Sequence, residues 1–99
     1  MTSTVYVVMR GLSKALGKGY RSEAYDIFDC IVTTEEEAKQ KVAELVKKQC
    51  EEWEDCLYTD GPYELENDWY CCKGVMYVTT GDGYRELCFY YRPYEIQTS

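Results

Sequence analysis

Six cysteines, Cys30, Cys50, Cys56, Cys71, Cys72 and Cys88, have the widest chemical reach of any residues in this 99-residue chain. An even number opens disulfide and zinc chemistry. Tetrahedral zinc wants four close thiolate or imidazole ligands, commonly from paired Cys-x-x-Cys or Cys/His spacings. The chain has no such spacing and no histidine. Cys71 and Cys72 are adjacent in an extended run, so alternation sends them to opposite faces. Cys50 falls on an apolar helical stripe, where a thiol serves as a small hydrophobe. Six free thiols are expected, with no metal and no cofactor.

Catalysis finds little else to use. Without histidine, neither a serine triad nor a Cys–His pair can be assembled. Gly11, Gly17, Lys18 and Gly19 loosely resemble a phosphate loop, but the spacing is wrong and no Ser or Thr follows the lysine. A flexible basic loop is the expectation. Paired carboxylates could act as acid and base, yet carboxylates are too abundant here for a pair to stand out. No enzyme is expected.

The carboxylates cluster instead. Glu51–Asp68 reads EEWEDCLYTDGPYELEND and holds Glu51, Glu52, Glu54, Asp55, Asp60, Glu64, Glu66 and Asp68 without one Lys or Arg. Trp53, Tyr58 and Tyr63 lie among them. Residues 1–22 carry Arg10, Lys14, Lys18 and Arg21 and no acid, and residues 69–99 balance to zero. The net charge of −7 is therefore largely the property of one segment. Glu35, Glu36 and Glu37 suit a helix N-terminus. Glu51, Glu52, Glu54 and Asp55 oppose the dipole at the other end and should weaken the helix slightly. Four charges over a rise of about 6 Å approach the line density of duplex DNA, roughly one per 1.7 Å. A solvated charged surface is the plain alternative. The functional reading is a surface that fills the basic groove of a nucleic-acid-binding protein, with Tyr58 and Tyr63 as aromatic anchors.

The elements that would position these residues follow from pattern. Val5, Val7 and Met9 alternate with Tyr6 and Val8, which predicts a strand near residues 3–10. A second strand is expected over Glu23–Val32. Thr34 with Glu37 forms a capping box. Ala38, Val42, Leu45, Val46, Cys50 and Trp53 then recur at helical spacing. Glu35–Lys39, Glu37–Lys41 and Glu44–Lys48 are expected surface pairs. An exposed acidic connection with a Thr59-Asp60-Gly61-Pro62 turn should lead to a hairpin closed by Asp82-Gly83. That turn sets Val78 across from Leu87, Met76 across from Phe89 and Gly74 across from Tyr91. Pro93 should limit the last strand or lie at an edge. The fold class is α+β, order β-β-α-β-β. Residues 1–99 form a single domain with a four-stranded antiparallel sheet and one helix on one face. Val75, Tyr77 and Tyr90, with Tyr6 and Val8, would occupy the other face. This is either an ordinary aromatic surface or a homodimer surface.

The N-terminus has only a five-residue apolar run and no basic residues before it. Neither a signal peptide nor a membrane span is expected, and the setting should be the cytoplasm. Eleven tyrosines could stack bases, but a net charge of −7 repels phosphate, so no direct nucleic acid is expected as a ligand. A short, acidic, single-helix α+β chain without a catalytic motif resembles the small proteins bacteriophages use against host defences, above all the acidic anti-CRISPR proteins, several of which mimic DNA. The resemblance is one of size, charge and architecture over the whole chain. It implies an inhibitor that blocks the nucleic-acid channel of a CRISPR effector nuclease. The alternatives are a phage protein that sequesters a small signalling nucleotide through the basic 10–21 loop, and a structural or assembly protein using the aromatic sheet face.

Overall fold

The computed structural model describes residues 2–12, 26–53, 57–66, 71–81 and 85–97. The elements are β1 (Thr2–Leu12), β2 (Asp26–Val32), α1 (Glu35–Glu52), β3 (Leu57–Glu66), β4 (Cys71–Thr80) and β5 (Glu86–Gln97). The strands form one antiparallel sheet in the order β2-β1-β5-β4-β3. The fold is α+β, as expected. It has five strands, however, because the acidic connection is itself a strand on the outer edge.

Helix α1 begins at an extended Thr34, whose hydroxyl accepts the Glu37 N–H at 3.2 Å and donates to the Glu37 carboxylate at 2.9 Å. The expected cap is present. Trp53 closes the helix by donating its N–H to the Gln49 carbonyl at 2.9 Å. Ala38 and Val42 are buried against Val8, Val78, Phe89 and Tyr91, with Leu45, Val46, Cys50 and Trp53 packed around them. The apolar stripe therefore lies as read. The surface pairing differs: Lys41 meets Glu44 at 3.5 Å, and Glu37 is taken up by the cap. Glu35 turns inward instead, accepting the Tyr91 hydroxyl at 2.9 Å and facing the Lys73 ammonium at 3.7 Å.

The β4–β5 register joins Val78 to Leu87 and Met76 to Phe89, as expected, although Asp82-Gly83 itself lies outside the described residues. Further along, the register slips by one, and Tyr91 faces Lys73 rather than Gly74. Gly74 is the cause. It sits in a bulge at φ 59°, and a Cβ there would lie 2.7 Å from the Tyr91 ring. The extra residue turns Lys73 toward the helix and Cys72 away from it.

Val75, Tyr77 and Tyr90 lie on the face away from α1, with Cys72, Met9 and Cys88. Tyr6 and Val8 do not join them. Both pack under the helix, Tyr6 edge-on to Tyr91 with 5.9 Å between ring centroids. In VYVVM both alternating sets are apolar, so pattern alone leaves the facing of β1 open. Pro93 does not end β5, which is central and runs to Gln97. The β4 ladder reaches only to Tyr91, so Pro93 lies beyond it with β1 as its neighbour, opposite Tyr6.

Candidate partner-binding surface

The proposed site residues divide between the end of α1 and strand β3. Glu51 and Glu52 are exposed in the last helical turn. Glu54, Asp55 and Asp68 lie outside the described residues, as does Cys56. Helix α1 ends at Glu52 with Trp53 as an extended C-cap, so of the four expected helical charges it carries Glu51 and Glu52. Trp53 as C-cap explains the stop: its ring turns to the Arg85 guanidinium, 5.1 Å from the ring centroid.

Thr59-Asp60-Gly61-Pro62 is a bulged stretch within β3, not a turn. Gly61, at φ 128°, permits this. A Cβ there would collide with the Val75 carbonyl and lie 3.0 Å from the Met76 sulfur, so the β3 backbone rests directly on β4. The Gly61–Pro62 peptide is cis. Strand pairing continues on either side, from Asp60 opposite Tyr77 to Tyr63 opposite Val75.

Residues paired across a ladder share a face. Tyr58, Asp60, Tyr63 and Leu65 stand opposite Thr79, Tyr77, Val75 and Cys72, hence on the face away from α1. Tyr58 and Tyr63 are 57% and 42% exposed, as an anchoring role requires. The Tyr63 hydroxyl donates to the Asp60 carboxylate, which raises the phenol's pKa, and its ring tilts against Tyr77 at 6.2 Å between centroids. Glu64 instead borders a groove beside α1, and its charge adds to the forces that hold the Tyr91 phenol protonated. The backbone of Glu66 closes the strand.

The structure thus gathers Tyr58, Asp60 and Tyr63, and sets Glu64 on the other side of the same edge. Being a strand is what separates them, because alternation divides any acidic run between two faces. The helix-side groove and the Glu35–Tyr91–Lys73 contact were missed in the sequence. The isolated Gly74 inside a strand pattern was the available signal for the bulge that brings Lys73 to Glu35.

The chemistry elsewhere is spare. Cys30, Cys50, Cys71, Cys72 and Cys88 are unbridged. The Cys30 thiol is pushed up by burial and by a hydrogen bond with Asp29. Among the described residues, no cluster of three His, Cys, Asp or Glu side chains could hold a metal. Of the basic 10–21 loop, residues 13–21 lie outside the described part. No helix among the described residues is long and apolar enough to cross a membrane. Comparison with protein-family models, with curated proteins and with solved structures found no match.

Proposed function

We propose that this protein is a non-enzymatic cytoplasmic inhibitor that docks its acidic β3 edge into the basic nucleic-acid groove of a partner, the resemblance to anti-CRISPR proteins pointing to a CRISPR effector nuclease. The observation that carries the reading is Tyr58, Asp60 and Tyr63 side by side and exposed on the outermost strand. Aromatic anchors beside fixed negative charge suit a basic partner surface, whereas an edge broken by bulges and Pro62 suits strand addition poorly. Glu64 on the helix side of β3, and Glu51 and Glu52 in the last turn of α1, add further negative charge.

The test is a binding titration of wild type and of Asp60→Asn/Glu64→Gln against a guide-loaded CRISPR effector nuclease, across salt and with competing DNA. Charge complementarity predicts that added salt weakens wild-type binding steeply and that DNA competes. The double variant should bind at least about tenfold more weakly. Equal affinity for wild type and variant would remove β3 as the interface.

A second reading, a homodimer through the face away from α1, is favoured by a separate observation. Phe28, Ile31, Tyr94 and Ile96 are exposed on that face, far from the acidic edge.

A further inference from the structure

Helix α1 lies over β4, β5 and β1, which leaves β3 beyond its flank. Between the helix and that outer strand runs a groove of about 630 Å³. Val42, Ala43 and Val46 form the helix wall, Met76 and Tyr91 the floor, and Pro62 the far side. Small-molecule sites span roughly 300–1,000 Å³ and are mainly apolar with a few placed polar groups. This groove meets both conditions.

Charge decides what fits. Lys39 and Lys47 stand on the helix rim, eight residues and so about 12 Å apart. Both are exposed, and neither joins an ion pair among the described residues, unlike Lys41 and Lys73. At the other end the Tyr91 hydroxyl is committed to Glu35, and Glu64 places negative charge beside it. Glu35 there is balanced by Lys73, so Glu64 is the lining carboxylate, and a negative group is drawn away from it toward Lys47 on the rim. Between the ends, the wall offers methyl and methylene groups and almost no hydrogen-bonding capacity. A nucleotide would leave its base edges unpaired there. A bilayer surface would not reach into a recess between a helix and a strand.

We propose that this groove binds a free single-chain aliphatic carboxylate. The carboxylate sits at Lys47, and the chain lies over Val42, Val46 and Met76. Calorimetric titration of the full chain with sodium dodecanoate below its micellar concentration tests it, with dodecyltrimethylammonium as the cationic control of equal chain length. Ala43→Trp fills the groove from an exposed helix position, and Lys47→Glu reverses the rim charge.

The expected result is saturable binding of dodecanoate by the wild type. Binding should be at least about tenfold weaker in each variant, while the cationic amphiphile binds better to Lys47→Glu than to wild type. No saturable binding by the wild type overturns the proposal. So does undiminished binding in Ala43→Trp, or equal binding of the two amphiphiles. Circular dichroism establishes that the variants are folded. Should Ala43→Trp misfold, Lys47→Glu decides alone, because it alters only an exposed side chain.

Discussion

The two faces of the sheet are built from the same strands, yet they bury their side chains by different means. Under α1, Val8, Val78, Phe89 and Tyr91 meet a second layer supplied by Ala38 and Val42. On the other face, Cys72, Val75 and Tyr90 are buried with no helix above them among the described residues. Tyr90 is only 4% exposed, with Met9, Tyr77 and Cys88 around it and the Arg92 guanidinium 5.4 Å from its ring centroid. Toward the periphery that protection fails, and Phe28, Ile31, Tyr58, Tyr63 and Tyr94 stand exposed. A central strand position can thus bury a large side chain by lateral packing, but only a second layer extends burial across the sheet.

The largest expected effect tests that difference directly. Phe89→Ala removes a ring enclosed by two layers and should cost about 3–5 kcal/mol. Tyr90→Ala removes an equally hidden ring with no opposing layer among the described residues. It should cost about 1.5–3 kcal/mol, near the transfer value of the side chain. Denaturant unfolding of both variants measures the gap. Equal losses would mean that something also covers the second face in solution.

Gly74 sets which residues reach which face. Gly74→Ala must hold an L side chain in the left-handed region, at about 1–2 kcal/mol, and must displace the Tyr91 ring. A total of about 2–3 kcal/mol is expected. Loss of the Lys73–Glu35 contact should accompany it, visible as reduced sensitivity to Lys73→Met in the Gly74→Ala background. Full sensitivity there would show that the bulge does not position Lys73.

Tyr91 carries a helix-to-sheet hydrogen bond that has a pH signature. Burial first, and the hydrogen bond to Glu35 second, raise its pKa well above the ordinary value of about 10. The folded state therefore favours the protonated phenol. This stabilisation is complete below pH 10 and is lost as pH rises above it, because the unfolded chain ionises first. Tyr91→Phe should cost about 1 kcal/mol at neutral pH, since Glu35 is partly exposed and the bond is partly screened. Urea unfolding from pH 9 to 11 should show wild type losing stability relative to the variant. Parallel curves would assign the alkaline loss to other tyrosines.

The same contrast explains what pattern could reveal. The helix was legible because its signals are local: Thr34 and Glu37 cap it, and Ala38, Val42 and Val46 recur along one side. The hairpin register was legible because turn length and hydrophobic pairing agree at Val78–Leu87 and Met76–Phe89. Strand β3 was not, because Asp60, Gly61, Pro62 and Glu64 all disfavour strands, and the ladder forms around the skipped Gly61, Pro62 and Glu64 because β4 offers an edge. The exposure of Tyr58 and Tyr63 was legible in the turn-rich acidic segment. The partition of its acids between two faces was hidden with the strand itself.

The smallest expected effect lies where the second face gives out. Phe28 is 52% exposed on the outer strand β2, opposite Met9. Phe28→Thr keeps a strand-favouring residue while removing most of the apolar area. If solvent covers this face, stability should change by no more than about 0.5 kcal/mol, as for other surface substitutions. The wild-type melting temperature should also be independent of protein concentration. If a second copy covers it, the wild-type melting temperature should rise with concentration, since association stabilises only the folded chain. Phe28→Thr should then remove that dependence while leaving the dilute-limit melting temperature unchanged. Melting curves over a hundredfold range of concentration (about 2.7 kcal/mol of linkage for a ligand bound only by the folded state) separate the two outcomes. A concentration dependence that survives the substitution would place the self-association elsewhere and leave the second face a solvated aromatic surface.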